Sequence, residues 1–101
     1  LFQCDKNGHC NEVNESICKL FGASKEEMLG YGWLDFIVPI QRESVKSNWE
    51  NALESNLSVS GEYDMINGFT DTVLRVEYVI HIKRGANNEI LNIFGRVNIK
   101  N

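Results

Sequence analysis

Hydrophobic and polar residues alternate most regularly in the last third of the chain. In the stretch from Val73 to Lys83, an apolar or aromatic side chain occupies every second position. This period of two predicts a β-strand with one face buried in the core and the other turned outward. The residues expected on the buried face are Leu74, Val76, Tyr78, Ile80 and Ile82.

Two flanking stretches carry the same alternation and predict two more long strands. One begins at Ser58 and places Val59, Tyr63 and Met65 on one face. The last strand is expected to place Leu91, Ile93, Val97 and Ile99 inward, with Gly95 leaving a gap on that face for a helix or a ligand. Asn67-Gly68 predicts a tight turn, and Arg84–Asn88 predicts a second break. Three strands that follow one another are most simply antiparallel neighbours.

The first third of the chain predicts a hairpin followed by short helices. A strand over residues 1–4, the turn Asp5–Gly8 and a strand over Cys10–Val13 come first. Asn14 is then a suitable N-cap for a helix that ends before Gly22. Ser24, with an acidic residue three positions later, has the pattern of a capping box and predicts a second helix.

A longer helix is predicted between these short helices and the long strands. Trp33–Ile37 reads as a single helical turn, and Pro39 suits the first position of a helix that ends near Ser55. One stripe of this helix is apolar at helical spacing and is expected to face the core. The stripe consists of Val45, Trp49, Ala52 and Leu53.

Composition limits the class of protein. With 101 residues, 43% of them hydrophobic, the chain is expected to form one domain over residues 1–101. A net charge of −4 argues against a nucleic-acid partner and against direct membrane contact. The chain starts at Leu1 without the features of a secretory signal, so we expect a piece excised from a longer protein. Three cysteines without paired spacing suggest reduced thiols and a cytoplasmic location.

The order of these elements and several short motifs resemble a PAS domain of the sensory-box type. The similar stretches cover nearly the whole chain, and the block over residues 20–30 is the most specific of them. They are Asp5–Gly8, Val13–Ser16, Leu20–Gly30, Trp33–Ile37 with Pro39, Asn88–Ile90 and Phe94–Val97.

This resemblance implies an α+β fold: a five-stranded antiparallel sheet with several short helices and one longer helix packed on one face. It also implies a non-catalytic input module of a bacterial signalling protein, covalently attached to an output domain such as a histidine kinase or a diguanylate cyclase. Two positions depart from the common pattern. Ile40-Gln41 stands where the family often has an acidic pair, and Asn98–Lys100 stands where an Asp-Ile-Thr junction often couples to the next domain.

The resemblance raises the question of a cofactor, and the residues predict none. A heme-binding member would need an axial histidine on the long helix, whereas His9 lies beside a turn and His81 falls on the outer face of its strand. Photoreactive flavin members carry a cysteine before the long helix, which Trp33–Val38 lacks, and a glutamine where Val97 stands. A non-covalent flavin remains open only because four aromatic residues could line a planar pocket, and core packing explains them more simply. The four are Trp33, Trp49, Tyr63 and Tyr78.

The sequence also lacks the usual motifs of an enzyme. It contains no glycine-rich phosphate loop, no nucleophile elbow and no paired His/Cys constellation. The leading interpretation is therefore a regulatory sensor module with no catalysis of its own. If it binds a small apolar or aromatic ligand, that ligand is expected between the sheet and the helices, but the same residues would equally form a core filled by side chains, and the filled core is the slightly favoured alternative. The candidate lining residues are Phe36, Trp49, Tyr63, Met65, Tyr78, Ile80 and Val97.

The second interpretation is a protein–protein interaction module. Four apolar residues interrupt the otherwise polar outer face of the last two strands, and such a patch often marks a partner surface. We expect a homodimer that pairs this face with itself. The four residues are Val73, Val79, Ile90 and Phe94.

Cys4 and Cys10 flank one hairpin turn and are expected to face each other. They form either a redox-sensitive pair or two small buried hydrophobic side chains.

Overall fold

The computed structural model describes residues 1–55 and 57–100. The domain predicted over residues 1–101 thus also includes Asn56 and Asn101, which lie outside the described residues. Strands and helices follow one another in the predicted order. They are β1 (Phe2–Cys4), β2 (Cys10–Val13), α1 (Glu15–Phe21), α2 (Lys25–Met28), a 3-10 helix (Gly32–Phe36), α3 (Pro39–Ser55), β3 (Ser58–Ile66), β4 (Val73–Arg84) and β5 (Ile90–Ile99).

The five strands form one antiparallel sheet in the order β2-β1-β5-β4-β3. The last strand of the chain is therefore central, and β2 and β3 form the two edges. The helical segment between β2 and β3 crosses one face of the sheet, and its apolar side chains join the inward residues of the strands in one core. The predicted fold class is confirmed. None of the helices in the described segments is both long and apolar enough to cross a membrane.

The signals that delimit the short helices work as expected. The Asn14 side chain accepts a hydrogen bond from the amide of Ile17 at 3.0 Å, and Gly22 ends α1 in the left-handed region with φ 64°. Ser24 and Glu27 form the complete capping box that starts α2. These local contacts satisfy backbone groups that a helix end would otherwise leave without a partner.

The apolar row of β4 faces the helices, as predicted. Val76, Ile80 and Ile82 are buried, while Leu74 and Tyr78 are half-buried and pack on the same core. Ile93 continues this buried surface on β5 opposite Ile82. The helices therefore cover the face that the alternation had marked.

The connection between β3 and β4 differs from the predicted tight turn. Residues 67–72 form a longer loop, closed by a hydrogen bond from the amide of Asn67 to the carbonyl of Thr72. The Asn67 side chain donates to the carbonyl of Leu20, and the amide of Gly68 donates to the carbonyl of Phe21. Asn67-Gly68 thus docks the loop on the end of α1 instead of forming a two-residue turn, so the prediction was wrong here.

At both ends of β5, the residues that face the core differ from the predicted ones. A register shift places Arg84 opposite Ile90 and Lys83 opposite Asn92, so Leu91 is an extra residue without a partner on β4. As a result Leu91 is 59% exposed, whereas Ile90 is half-buried against the core. The predicted inward position of Leu91 and the predicted outward position of Ile90 are both wrong. Ile99, opposite Val76, is exposed at the margin of the core.

The gap at Gly95 is filled by the ring of Phe2 from β1. A Cβ at position 95 would lie 2.8 Å from Cζ of Phe2, 2.7 Å from the carbonyl oxygen of Val79 and 3.1 Å from Cγ1 of Ile80. Gly95 and Phe2 are direct partners in the register of β1 and β5. The missing side chain therefore allows an aromatic ring of the sheet itself to approach the backbone.

A polar network ties the last residues of β5 to the edge of the sheet. Lys100 contacts the carboxylate of Glu62, and its amide donates to the carbonyl of Arg75 at 2.9 Å. The Arg75 guanidinium lies 3.3 Å from Glu62 and 3.2 Å from Asp64. Gln41 of α3 completes the network, since its side chain both donates to the Asp64 carboxylate and accepts from the Asp64 amide. The start of α3 and the end of β5 are thereby connected through β3 and β4.

We expect Gly95→Ala to destabilise the domain by about 1–3 kcal/mol, because the added methyl group cannot be placed without moving Phe2 or the backbone of β4. The measurement is urea unfolding followed by circular dichroism. Asn98→Ala, which changes an exposed position on the same strand, is the control and should change stability by less than about 0.5 kcal/mol. Equal stability of Gly95→Ala and the parent would contradict this account of the close approach.

The polar network predicts a loss of stability in acid. Lys100 and Arg75 lower the pKa of Glu62, and Arg75 and Gln41 lower the pKa of Asp64. Because the folded-state pKa values lie below the unfolded values of about 4, this stabilisation is present above pH 4 and disappears as the pH falls through the folded values. The Tm of the parent should therefore fall more between about pH 6 and pH 3 than that of the Glu62→Gln/Asp64→Asn variant.

A variant with the same change in net charge is the control for this comparison. Glu43→Gln/Glu54→Gln alters two exposed residues of α3 that make no ion pair within the described residues. Its acid dependence should match the parent. If both double variants flatten the Tm profile equally, net charge and not the network governs the effect.

Candidate functional site

A cavity of about 60 Å³ lies between the inner face of the sheet and the helices. Every strand and helix contributes at least one side chain to its wall, and the wall is apolar or aromatic apart from one thiol and two tyrosine hydroxyls. The lining residues are Phe2, Cys10, Val13, Ile17, Phe21, Met28, Trp33, Val45, Trp49, Val59, Tyr63, Tyr78, Ile80 and Val97.

Five of the seven residues proposed from the sequence line this cavity. They are Trp49, Tyr63, Tyr78, Ile80 and Val97. Met65 and Phe36 do not. Met65 does face inward, but it forms a bridge with Ile37 that closes the core at the far end of β3. Phe36 packs edge-on against Phe21 at 6.2 Å and lies beside Gly68 of the β3–β4 loop.

The remaining wall comes from the hairpin, the short helices, Val45 of α3 and Val59 of β3. None of these residues was among the seven proposed lining residues, although Trp33 was one of the four aromatic residues considered for a planar pocket. Ile17 and Phe21 belong to the apolar stripe of α1, and Val45 to that of α3. The two stripes could have predicted these three residues as cavity lining, because α1 and α3 pack on the same face of the sheet as the buried apolar row of β4. Phe2 and Val13 could not have been found in this way, since their strands are too short to show an alternation.

The indole of Trp49 is fixed by the turn of the first hairpin. Its Nε1–H donates to the carbonyl of Gly8 at 3.1 Å. Gly8 has φ 83°, and a Cβ there would lie 2.7 Å from Cδ1 of Leu53, so the turn packs directly on α3. The hairpin thus positions one aromatic wall of the cavity.

The electrostatic character of the cavity favours a neutral occupant. Among the described residues no charged or polar side chain is buried. The rings of Tyr63 and Tyr78 are 5.7 Å apart, and burial raises the pKa of both phenols, which keeps them uncharged. A charged ligand would lose its hydration here without gaining a counter-ion.

The structure places both histidines away from this cavity. His81 is exposed on the outer face, as predicted, with its ring 5.3 Å from that of Phe94. His9 lies beside the first turn, with its ring 4.7 Å from that of Tyr31. In the described part of the chain, no cluster of three or more His, Cys, Asp or Glu side chains could hold a metal ion. A volume of about 60 Å³ is also far too small for heme or flavin.

The outer face of the sheet carries most of the predicted apolar patch. Val73 is 56% and Phe94 42% exposed, and Val79 is half-buried opposite Arg96. Ile90 lies with the core instead, and the exposed Leu91 is its neighbour on this strand. Phe94 lies opposite His81 and Val79 opposite Arg96, so Val79 and Phe94 are diagonal neighbours on this face. Val73 lies at the other end of β4, about 20 Å from Val79, and is separate from them. The apolar patch therefore consists of Val79 and Phe94.

Comparison with solved structures finds PAS domains that cover nearly the whole chain. The N-terminal domain of a diguanylate cyclase with PAS/PAC sensor from Marinobacter aquaeolei has a TM-score of 0.84 at 14% identity, covering 97% of this chain and 91% of that one. A PAS domain from Colwellia psychrerythraea has a TM-score of 0.74 at 21% identity, covering 98% and 81%. Cycle PAS-B of Drosophila melanogaster, with bound ethylene glycol, has a TM-score of 0.75 at 10% identity, covering 98% and 97%.

At these identities the structural likeness shows the fold. Among curated protein sequences, none matches significantly. The sequence model of the PAS fold matches residues 1–99, which is nearly the full length. The chain therefore belongs to the PAS family, whose members are sensory modules that are generally not catalytic and usually accompany output domains in signalling proteins.

Proposed function

We propose that this PAS domain is a ligand-responsive input module. It binds a small, uncharged, apolar molecule in the central cavity and passes the resulting displacement to an output domain of a longer protein. The observation that carries the proposal is the apolar cavity at the inner face of the central strands.

The size of the cavity suggests how binding would become a signal. Its volume of about 60 Å³ is less than half of the ~150 Å³ cavity that admits benzene in another protein. A molecule with one aromatic ring therefore enters only if wall residues move outward. Because packed interiors resist compression, this movement is transmitted to the strands that carry the wall.

The strand best placed to carry such a movement outward is β5. Val97 lines the cavity, and Lys100, three residues later, belongs to the polar network at the edge of the sheet. A displacement of β5 changes the position at which the chain leaves the sheet. This supports an output domain C-terminal to this one. Ligand binding would then shift the population between two positions of the end of β5.

The kind of output domain is proposed from the comparisons alone. The Marinobacter relative is described as part of a diguanylate cyclase, which supports a cyclase output here; a histidine kinase is the second choice. The three cysteines are unpaired, which supports a cytoplasmic setting for the module.

Toluene is a suitable probe for the cavity because it is uncharged and has one ring. At a tenfold excess over Kd it should stabilise the parent by about 1.4 kcal/mol, a rise in Tm of several degrees. Val45→Leu, which adds volume at the wall, should reduce this rise at the same toluene concentration. Val73→Leu makes the same change on the exposed outer face and should leave the rise unchanged.

Native mass spectrometry on freshly purified protein complements this test by detecting a molecule retained from the cell. If toluene and other single-ring compounds leave the Tm of the parent unchanged, and no bound mass is found, the ligand-binding proposal is wrong. An equal effect of the two leucine variants would also contradict the assignment of the site to this cavity.

A second candidate function is self-association through the outer face, which the exposure of Phe94 beside the half-buried Val79 favours. Glu77 and Arg96 lie on the same face, and neither has an ion pair within the described residues. In a C2 dimer each could pair with the opposite charge on the other copy, so the face is complementary to itself. The proposed partner is a second copy of this chain.

Phe94→Asp should weaken dimerisation about thirtyfold or more, corresponding to roughly 2 kcal/mol for an aromatic residue at the centre of an interface. Sedimentation equilibrium over a range of protein concentrations measures this directly. Phe69→Asp is the control, because Phe69 is 81% exposed but lies in the β3–β4 loop. A parent that stays monomeric at high concentration would refute the dimer, and equal effects of both variants would refute the assignment of its interface to this face.

A further inference from the structure

Cys4 and Cys10 occupy facing positions in the first hairpin. They are direct partners in the register of β1 and β2, both are free thiols, and each is 6% exposed. The expectation that they face each other is thus confirmed. Cys10 also lines the central cavity, so a small molecule in the cavity can reach its sulfur.

Cys4 and Cys10 are not joined by main-chain hydrogen bonds, because the main-chain groups of Cys10 bind elsewhere. The amide of Cys10 donates to the carbonyl of Gly30 at 2.9 Å, and the amide of Gly30 donates back to the carbonyl of Cys10 at 2.8 Å. Both polar groups of Cys10 therefore point away from β1. The register shifts between Gln3 and Cys4, so a bulge adjoins the pair on one side, while the amide of Asp5 donates to the carbonyl of His9 at 2.9 Å on the other. In a regular antiparallel ladder, facing residues of this kind have Cα atoms about 4.5 Å apart, within the range of about 4.4–6.8 Å that a disulfide requires.

The two thiols differ in character. A hydrogen bond from the Cys4 thiol lowers the pKa of Cys10, whereas the same contact and burial raise the pKa of Cys4. Cys10 is thus the better nucleophile, and Cys4 is the thiol that can attack it in a second step. Cys18 lies apart from the pair on α1, and burial raises its pKa.

We propose that Cys4 and Cys10 form a reversible redox site that is oxidised by hydrogen peroxide to an intramolecular disulfide. The Cys10 thiolate attacks one peroxide oxygen, so that an S–O bond forms, the O–O bond breaks, and hydroxide leaves and takes up a proton to become water. The Cys4 thiol then attacks the sulfur of the Cys10 sulfenic acid and gives its proton to the departing hydroxide; the S–S bond forms, the S–O bond breaks, and a second water leaves. Two thiols are oxidised, one peroxide is reduced, and a dithiol reductant reverses the reaction.

Oxidation would alter the cavity because the pair connects several parts of its wall. The Cys10 thiol contacts the carbonyl of Glu12 at 3.7 Å, and its backbone is bound to Gly30. Cys4 is the partner of Ile93 on the central strand. A disulfide would turn the Cys10 sulfur toward β1 and couple the hairpin, the α2 end and β5 more tightly. Trp33 and Trp49, which both line this cavity, should report this change through their fluorescence.

The experiment treats the reduced, folded protein with hydrogen peroxide and follows intact mass, non-reducing peptide maps and tryptophan emission. The parent should lose the mass of two hydrogen atoms, show a Cys4–Cys10 peptide, change its emission, and recover on addition of dithiothreitol. Cys18→Ser should behave like the parent. Cys4→Ser should lose the crosslink and accumulate a sulfenic acid at Cys10 that dimedone traps.

These outcomes do not depend on ligand binding in the cavity, so they stand or fall separately from the function proposed above. A folded parent that keeps all three thiols under peroxide, or a crosslink that involves Cys18, would overturn the proposal. An unchanged emission spectrum after the Cys4–Cys10 bond has formed would overturn its effect on the cavity. Should Cys4→Ser fail to fold, the peptide map of the parent still decides the first point.

Discussion

The burial of one face of the β4–β5 pair is the constraint on which the rest of this fold depends. Val76, Ile80 and Ile82 on β4 and Ile93 on β5 present a surface that must be covered, and α1, α2 and α3 cover it. Burying such side chains contributes about 1.5–3 kcal/mol each relative to exposing them. The short helices have little stability of their own, because isolated helices of that length are marginal in water. Their position is therefore fixed by the sheet.

The cavity is a consequence of covering this surface with large aromatic side chains. Trp33, Trp49, Tyr63 and Tyr78 all line the cavity, and rigid rings leave space that flexible aliphatic side chains would fill. Trp49 is further held by its hydrogen bond to the Gly8 carbonyl, so its indole cannot rotate into the space without losing that bond. The side chains around an empty apolar cavity have fewer dispersion contacts than packed side chains, and an apolar ligand restores these contacts. The same hairpin that fixes Trp49 carries the facing thiols, so any event at the thiols acts on a wall of the cavity.

The elements that depend on neighbouring residues were predictable, and those that depend on distant contacts were not. The β4 alternation and the caps at Asn14 and Ser24 have local causes, and the structure confirms them. The Asn67-Gly68 pair has the composition of a tight turn, but its conformation is decided by carbonyls at the end of α1. Leu91 follows the inward phase of β5 until a bulge shifts it, and no local pattern marks that bulge. Met65 faces the core, as the alternation predicts, but it lies too far along β3 to line the cavity, because its position is decided by the bridge with Ile37.

The polar network at the edge of the sheet shows how the end of β5 is held although the sequence there departs from the common family pattern. The chain lacks the Asp-Ile-Thr junction common in the family, and Asn98–Lys100 offers no acidic residue to anchor an exit. In the structure Lys100 supplies a cation at this end of the chain, and Glu62 of β3 supplies the carboxylate that it contacts. Arg75 and Asp64 extend this contact to Gln41 at the start of α3, on the opposite side of the core from the hairpin. The end of β5 is thus held by partners on two other strands and, through them, by a helix that lines the cavity. A movement of that helix and a movement of β5 would both reach the end of β5, which supports the C-terminal output domain proposed above.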